Sequence, residues 1–269
     1  MDRDIRSVED VLRLLDGLFE EGADRWTAGA ASWWDGFYTD RERPVPFFAE
    51  RPDENLVSYT ERGLLTPGRA LDLGCGPGRN ALWLAALGFE VDAVDLSPTA
   101  VAWAEERARE AEPGTRARVR FHCGDAFALV GGAPGTEDRA AGDAGAADGT
   151  AVGALRGPYD LIYDSGCFHH LPPHRRVSYL ALLDRALAPG GHLGLTCFAA
   201  GGMGCELDDA ELYRTSRLDG GLAYSARWLR WIFSGLTEVE LRRMRDEPED
   251  SPYFGEPFLW TALLRREPA

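Results

Sequence analysis

The chain has 269 residues, 45% of them hydrophobic, and is long enough to bury the core of one large domain. Its net charge of −15 repels phosphate backbones and anionic lipid, which argues against nucleic acid and membranes as partners. The sequence contains no lysine, which excludes Schiff-base, P-loop and Tyr-Lys dehydrogenase chemistry. The five cysteines are scattered and form no C-x-x-C pair, which predicts no metal site and a reducing compartment. The N-terminus lacks the pattern of a signal peptide, so the sequence predicts a cytoplasmic protein.

Residues 1–55 form a first segment with two predicted parts. Apolar side chains recur at helical spacing behind Ser7 and Asp10, a pair typical of a helix N-terminus, and predict a helix there. An aromatic stretch interrupted by prolines follows, and it predicts an irregular segment packed against the rest of the protein. Its aromatic residues are Trp33, Trp34, Phe37, Tyr38, Phe47 and Phe48.

From about residue 69, strand-like apolar runs alternate with helical stretches. Strands separated by helices pair in parallel, so residues 56–269 predict an α/β domain with a doubly wound, mostly parallel sheet. Residues 131–157 are rich in Gly, Ala and Asp, which predicts a disordered surface loop. Residues 200–224 predict a Gly-rich excursion before a helix capped by Ser225, and the last two strand-like runs predict an antiparallel hairpin.

The stretch LDLGCGPGRN at residues 71–80 joins a predicted strand to a predicted helix through three glycines. Glycine permits positive φ and lets backbone N–H groups approach a ligand closely at a helix N-terminus. This pattern is typical of a loop that binds the polar part of a nucleotide-like cofactor. A dinucleotide fingerprint also fits, because the register that starts at Gly76 ends at Ala81.

Acidic residues around the glycine loop favour one kind of cofactor. Asp95 ends the second predicted strand, where a carboxylate would accept the ribose hydroxyls of an adenosine, and Asp125 follows the third, where it would accept the adenine amino group. Asp72 precedes the glycines, where an ammonium group is favoured and a pyrophosphate is repelled. These charges favour an adenosyl group with a zwitterionic amino-acid tail over a dinucleotide.

Together these stretches resemble the class I S-adenosylmethionine-dependent methyltransferases over roughly residues 56–200. The motifs that carry the resemblance are LDLGCGPGRN, VDAVDLS, CGDA, YDLIYDSGCFHHL and LAPGGHLGLTCF. The resemblance implies a seven-stranded Rossmann-like sheet, S-adenosylmethionine as cofactor and in-line methyl transfer to a small-molecule heteroatom. The core residues implied to bind the cofactor are Asp72, Gly74, Cys75, Gly76, Gly78, Arg79, Asn80, Asp95, Leu96, Ser97, Gly124, Asp125, Ala126, Asp164, Ser165 and Cys167.

The segment WWDGFYTDRERPVPFF is similar to the N-terminal segment of the thiopurine and small-thiol methyltransferase branch. That similarity implies that residues 1–55 act as a lid, with Trp34, Phe37 and Tyr38 closing over the cofactor, and it favours thiol sulfur over nitrogen or oxygen as the acceptor. The alternative for these aromatic residues is simple packing against the sheet. The excursion at residues 200–224 would cap the substrate.

Two histidines follow the fourth predicted strand, at the edge of the sheet where ligands bind in such folds. His169 and His170 are therefore the candidate catalytic residues, and the resemblance implies that His169 faces the acceptor as a base or a positioning group. The alternative for His170 is that it packs or caps the next helix.

Two other functions are compatible with parts of the same motifs. A nicotinamide-dependent reductase would keep the glycine register and Asp95, although the sequence offers no recognisable hydride-transfer pair. A non-catalytic module that binds S-adenosylmethionine would keep the motifs and act through protein contacts. The five motifs in order favour the methyltransferase.

Overall fold

The computed structural model describes residues 5–19, 25–26, 29–130, 155, 157–218 and 220–269. Most of the predicted loop at 131–157 therefore lies outside the described residues. The helices are α1 (Val8–Asp16), α2 (Ala30–Thr39), α3 (Glu54–Glu61), α4 (Arg79–Ala86), α5 (Pro98–Glu110), α6 (Pro113–Arg116), α7 (Ala126–Leu129), α8 (Arg176–Ala186), α9 (Asp209–Thr215) and α10 (Ala226–Ile232). The strands are β1 (Arg69–Leu73), β2 (Glu90–Asp95), β3 (Val119–Cys123), β4 (Tyr159–Ser165), β5 (Leu187–Phe198), β6 (Thr237–Arg243) and β7 (Leu259–Arg265).

One seven-stranded sheet joins these strands in the order β3-β2-β1-β4-β5-β7-β6. Strands β1 to β5 pair in parallel, and β7 is antiparallel to both β5 and β6. The predicted α/β fold, with a mostly parallel sheet and an antiparallel hairpin at its end, is confirmed. The strand order reverses between β1 and β4, and ligands bind outside the carboxyl ends of the strands at such a point.

Apolar clusters cover both faces of the sheet. Leu71 and Leu73 pack in one cluster, whereas Ala70 packs in the other, as the alternation of side chains along a strand requires. Asp72 shares the face of Ala70, and Tyr163 of β4 lies in the cluster on that face. The carboxylate of Asp72 is therefore buried on this face of the sheet rather than exposed to solvent.

The predicted irregular structure of the aromatic stretch was wrong for its first half. Trp33, Trp34, Phe37 and Tyr38 belong to α2, and their spacing of one, four and five residues places them along one side of that helix. Their rings pack in succession, with Trp33 and Phe37 stacked 5.2 Å apart. Only the segment around the prolines, with a short 3-10 turn at Pro46–Phe48, lacks regular helix or strand.

The predicted helix starts are confirmed. Ser7 and Asp10 form a reciprocal capping box at α1, Ser97 accepts a bond from the N–H of Ala100 at α5, and Ser225 caps α10. None of the helices in the described ranges combines the length and the apolar character needed to cross a membrane.

Polar contacts attach the N-terminal helices to the sheet domain. Asp16 at the end of α1 bonds to Nε2 of His174 at 2.7 Å. Asp35 of α2 accepts bonds from the Ser97 hydroxyl at 3.0 Å and from the N–H of Thr99 at 2.8 Å. The second contact holds α2 beside the turn that follows β2.

The connection between β6 and β7 is attached to the segment before α3. Arg51 donates to the carbonyl oxygens of Pro248, Glu249 and Ser251 at 2.7 to 3.1 Å. Glu54 accepts a paired interaction from Arg242, at 2.6 and 2.9 Å. These contacts hold the β6–β7 connection and the end of β6 against the start of α3.

Candidate active site

A cavity of about 590 Å³ lies at the carboxyl ends of the central strands, within the range of roughly 300–1,000 Å³ that is usual for small-molecule sites. One part is formed by the glycine loop and the ends of β2 and β4, and the other by aromatic side chains from α2, β5 and the β6–β7 connection. Of the predicted site residues, those that line it are Trp34, Phe37, Tyr38, Gly74, Arg79, Asp95, Leu96, Gly124, Ala126, Ser165, Cys167, His169 and His170.

The turn after β1, called the glycine turn, requires glycine because of its positive φ values and because other atoms lie close to its backbone. Gly74 and Gly76 have φ values of 65° and 51°, a region that other residues avoid. A Cβ at position 74 would lie 3.0 Å from Cβ of Cys167, and one at position 76 would lie 2.9 Å from the hydroxyl of Tyr38. Gly78 also has a positive φ, of 79°, and a Cβ at this position would lie 3.0 Å from Cβ of Ala104 in α5. Packing within the protein therefore explains glycine at position 78 without a ligand.

Asp95 is held by the backbone at the end of β2. Its carboxylate accepts a bond from the N–H of Gly76 at 2.9 Å and one from the N–H of Ser97 at 2.9 Å. Burial raises the pKa of Asp95 to about 6 in spite of these bonds. Each oxygen retains capacity for another donor, as recognition of two ribose hydroxyls requires.

Asp72 and Arg79 lie close to the same turn. Asp72 is buried, and burial raises the pKa of its carboxyl well above the usual range, although the positive charge of Arg79 opposes this rise. Its Oδ2 has no hydrogen-bond partner in the described part of the chain, but Asp72 is not among the residues that line the cavity. The predicted contact of Asp72 with an ammonium group stays a prediction. Arg79 lines the cavity and donates to the hydroxyl of Ser165 at 3.1 Å.

Several predicted cofactor residues lie behind the cavity wall and make local bonds there. Asp164 accepts from the N–H groups of residues 166–168 and from the Tyr179 hydroxyl, which shapes the turn after β4. Asn80 bonds to Asp53. Cys75 is buried, and Ser97 bonds to Asp35. A cofactor role for these residues stays a prediction.

Asp125 lies at a second, larger depression of about 1050 Å³ between α1 and α8. Its carboxylate accepts from the N–H of Phe127 at 2.8 Å and so caps α7. Leu96 and Trp26 line both cavities, and the chain neighbours of Asp125, Gly124 and Ala126, line the first one. Its predicted contact with adenine stays a prediction.

His169 and His170 form a close pair in a 3-10 turn at Phe168–His170. Their Nε2 atoms lie 3.1 Å apart, and the ring of His169 stacks on Phe198 with centroids 3.7 Å apart. Burial lowers the pKa of His170 to about 3, helped by the charge of Arg25, and burial lowers that of His169 well below its usual range. Both rings are therefore neutral near pH 7.

Sequence reasoning missed three contributors to this region. Asp53 bonds to Arg79 and Asn80, Asp35 bonds to the turn after Asp95, and Phe254 from the β6–β7 connection lines the cavity. Asp35 lies within the aromatic stretch WWDGFY, where a lone acid among large apolar residues was an available signal. Asp53 and Phe254 carry no such signal, because their partners lie far along the chain.

Comparison with known proteins identifies the family of the chain. A family model described as a methyltransferase domain matches residues 71–193. Thiopurine S-methyltransferase from Stutzerimonas stutzeri is 33% identical over 202 residues, which cover 71% of each protein. The chain spans only 33% and 53% of the length of two further curated relatives that it matches.

Solved structures show the same fold. The structure described as "Conversion of a Disulfide Bond into a Thioacetal Group during Echinomycin Biosynthesis" aligns with a TM-score of 0.57 at 24% identity, covering 88% of this chain and 93% of the other. The 1,6-didemethyltoxoflavin-N1-methyltransferase of Burkholderia thailandensis, solved with S-adenosylhomocysteine, aligns with a TM-score of 0.50 at 22% identity, covering 99% and 93%.

The glycine turn, the acid after β2 and the reversed hairpin define an S-adenosylmethionine-dependent methyltransferase domain. The chain belongs to the class I S-adenosylmethionine-dependent methyltransferases. This membership decides against the nicotinamide-dependent reductase. The described residues fit the family's cofactor, because Asp95 can accept the ribose hydroxyls and Arg79 offers a cation, and both line the cavity. The buried Oδ2 of Asp72, which does not line the cavity, lacks a hydrogen-bond donor among the described residues.

Proposed function

We propose that the protein transfers a methyl group from S-adenosylmethionine to a heteroatom of a small molecule, with thiol sulfur as the favoured acceptor. The observation that carries this proposal is the division of one cavity into two parts. Asp95, Arg79 and Ser165 supply polar groups beside the glycine turn. The opposite part is lined by aromatic and apolar side chains, namely Trp33, Phe37, Phe47, Phe198, Met203 and Phe258.

The size and covering of the cavity support a small acceptor. Side chains of helix α2 line the cavity, where the hydroxyl of Tyr38 approaches Gly76 and the ring of Trp34 contacts His170 at a centroid distance of 4.9 Å. A polymer would have to displace this helix, whereas a small planar molecule can lie among the rings. The negative charge of the whole chain also opposes an acidic polymer.

The state of the two histidines favours an acceptor that ionises by itself. A base with a pKa of about 3, as at His170, is too weak to take a proton from an alcohol or an ammonium group near pH 7. A thiol has a pKa of about 8.5 and is partly ionised without help. Exclusion of water by the aromatic walls by itself raises the pKa of a thiol, and a nearby positive charge opposes this rise because it attracts the thiolate more strongly where water is excluded.

The cofactor supplies a methyl group on a positively charged sulfonium, and its transfer to a thiolate breaks one C–S bond, forms another and leaves two uncharged sulfur centres. The chain's own contribution is to hold both sulfur atoms in line and to exclude water. In this account the neutral histidine pair forms part of the wall beside the acceptor and donates or accepts a hydrogen bond there.

The proposal is tested by incubating the protein with S-adenosylmethionine labelled in its methyl group and three acceptors that share one ring and differ only in a thiol, hydroxyl or amino group. We expect label on the thiol, and little on the others. Label on oxygen or nitrogen instead would contradict the choice of sulfur. Cofactor binding without turnover across a broad panel would support the non-catalytic module.

A further inference from the structure

Asp53 is a fully buried carboxylate at the start of α3, with 0% of its surface exposed. Its Oδ2 accepts from the Tyr163 hydroxyl at 2.6 Å and from the Asn80 amide at 3.2 Å, and its backbone N–H donates to Asn80 Oδ1 at 3.0 Å. Its Oδ1 forms an ion pair with Nη1 of Arg79. Oδ2 is thus hydrogen-bonded by two donors, whereas Oδ1 meets only the charge of Arg79, a residue that lines the cavity.

Arg79 is held in one orientation by these surroundings. Nη1 contacts Asp53 and donates to the carbonyl oxygen of Arg51 at 3.1 Å, while Nη2 donates to the hydroxyl of Ser165 at 3.1 Å. The guanidinium lies 4.3 Å from the ring centre of Phe254. With one nitrogen fixed on the protein side and its face covered, the guanidinium cannot rotate freely away from the cavity that Ser165 also lines.

We propose that Asp53 is a positioning residue: it holds Arg79 so that the guanidinium binds the carboxylate of the cofactor's methionine tail. This inference rests on the proposed function, because it names the role of one residue in the same site. Arginine has five N–H donors in a planar arrangement, so it can bind Asp53 on one side and a second carboxylate on another.

The position of Asp53 argues for this role over a purely structural one. A buried ion pair contributes little net stability compared with apolar packing of the same volume. Here the pair also joins three parts of the site. Asp53 is linked to the β6–β7 connection through an isolated bridge with Phe254, and to the glycine-loop helix through Arg79 and Asn80. A shift of Asp53 would therefore move Arg79 relative to the cavity.

The test measures binding of two ligands by isothermal titration. S-adenosylhomocysteine carries the carboxylate, and decarboxylated S-adenosylhomocysteine keeps the ammonium group but lacks the carboxylate. In Asp53→Asn, which keeps the size of the side chain and removes its charge, we expect the Kd of the first ligand to rise by about 10- to 100-fold and that of the second to change little. Arg79→Met should have the same pattern, and Asp53→Asn should add little to it.

Glu54→Gln is the matched control. Glu54 is also buried, and it pairs with Arg242 away from the cavity, so its replacement removes a neighbouring buried ion pair without touching Arg79. We expect this variant to leave the ratio of the two dissociation constants unchanged. The KM for S-adenosylmethionine should rise in Asp53→Asn, with kcat much less affected.

Equal weakening of both ligands in Asp53→Asn would overturn the inference, because it would indicate a general loss of site structure. So would unchanged binding of both. A failure of the proposed function is distinguishable, because the unaltered protein would then bind neither ligand, or would bind S-adenosylhomocysteine without transferring a methyl group. In the second case the ratio of the two dissociation constants still tests the role of Asp53. If Asp53→Asn does not fold, the ratio is measured in Arg79→Met and Arg79→Gln, and equal weakening of both ligands there overturns the inference as well.

Discussion

Nε2 of His169 lies 3.1 Å from Nε2 of His170, so the two rings share one hydrogen bond between them. One ring donates through Nε2 and the other accepts, which leaves one Nδ1 as an acceptor and the other as a donor. Both Nδ1 atoms are buried and lack a hydrogen-bond partner within the described ranges. The pair is therefore a neutral unit with one donor and one acceptor, rather than a base that titrates near pH 7.

The first prediction concerns the pH dependence of methyl transfer. Because burial lowers the pKa of both histidines, neither changes charge between about pH 6 and pH 9, where an ordinary histidine of pKa near 6.5 would. We expect kcat/KM to rise with the ionisation of the acceptor thiol. Two aryl thiols of different acidity should give ascending limbs displaced by the difference between their own pKa values.

The histidine variants provide the control for this profile. His169→Asn and His170→Asn should lower the rate without moving the limb, since the limb belongs to the acceptor. A limb that stays at one pH for both thiols and vanishes in either variant would show that a histidine acts as the base after all.

The second prediction separates two reasons for glycine in the glycine turn, namely its positive φ and the close approach of the cofactor. Gly74→Ala places a methyl group 3.0 Å from Cβ of Cys167 at a φ of 65°, and Gly63→Ala places one at a φ of 69° with no atom within 4 Å. Both should lose about 1–2 kcal/mol of unfolding free energy from the unfavourable φ. Only Gly74→Ala should also lose affinity for S-adenosylhomocysteine, measured by titration. Equal affinity in the two variants would mean that the ligand does not approach this turn.

The third prediction concerns cofactor affinity below neutral pH. Asp95 must be ionised to accept two hydroxyl donors, and its pKa is raised to about 6 by burial. Its charged form is populated above that pH, so affinity for S-adenosylhomocysteine should fall as pH decreases through about 6, by at most about tenfold per pH unit. Titration calorimetry at several pH values measures this slope. Asp95→Asn should bind weakly at every pH, and a variant that retains the slope would place the titrating group elsewhere.

The fourth prediction concerns the attachment of α2. Asp35 accepts two bonds at the N-terminus of α5, where a negative charge also interacts favourably with the helix dipole. Asp35→Asn should lower the unfolding free energy by about 1 kcal/mol and weaken cofactor binding, because Tyr38 of α2 lies against Gly76 of the glycine turn. Asp40→Asn, at the exposed end of the same helix, should do neither. Chemical denaturation and titration of both variants measure the difference, and matching results would contradict a specific role for Asp35.

The sheet could be predicted because its strands are short apolar runs separated by helical stretches with clear starts, such as Ser97-Pro98 and Ser225. The helix α2 was missed for a physical reason. Trp33, Trp34, Phe37 and Tyr38 have modest helix propensity and surround Gly36, so composition suggested a loop, whereas the four- and five-residue spacing that builds one packed side decided the structure.

The candidate site likewise has a part that could be predicted from the sequence and a part that could not. Gly74, Gly76 and Asp95 lie in one continuous motif, where local geometry follows from residue type. Contacts between distant segments could not be predicted, since Asp53 reaches Arg79 across 26 positions and Tyr163 across 110, and nothing in either segment identifies its partner. The depressed pKa values of the histidines depend likewise on burial beside distant residues, Trp34 of α2 and Phe198 of β5.

The most direct test of the account is titration of the unaltered protein with S-adenosylhomocysteine, with NADH titrated in parallel. We expect one molecule of S-adenosylhomocysteine to bind per chain, S-adenosylmethionine to compete with it, and NADH not to bind. Binding of NADH, together with no heat from S-adenosylhomocysteine even at millimolar concentration, would contradict it.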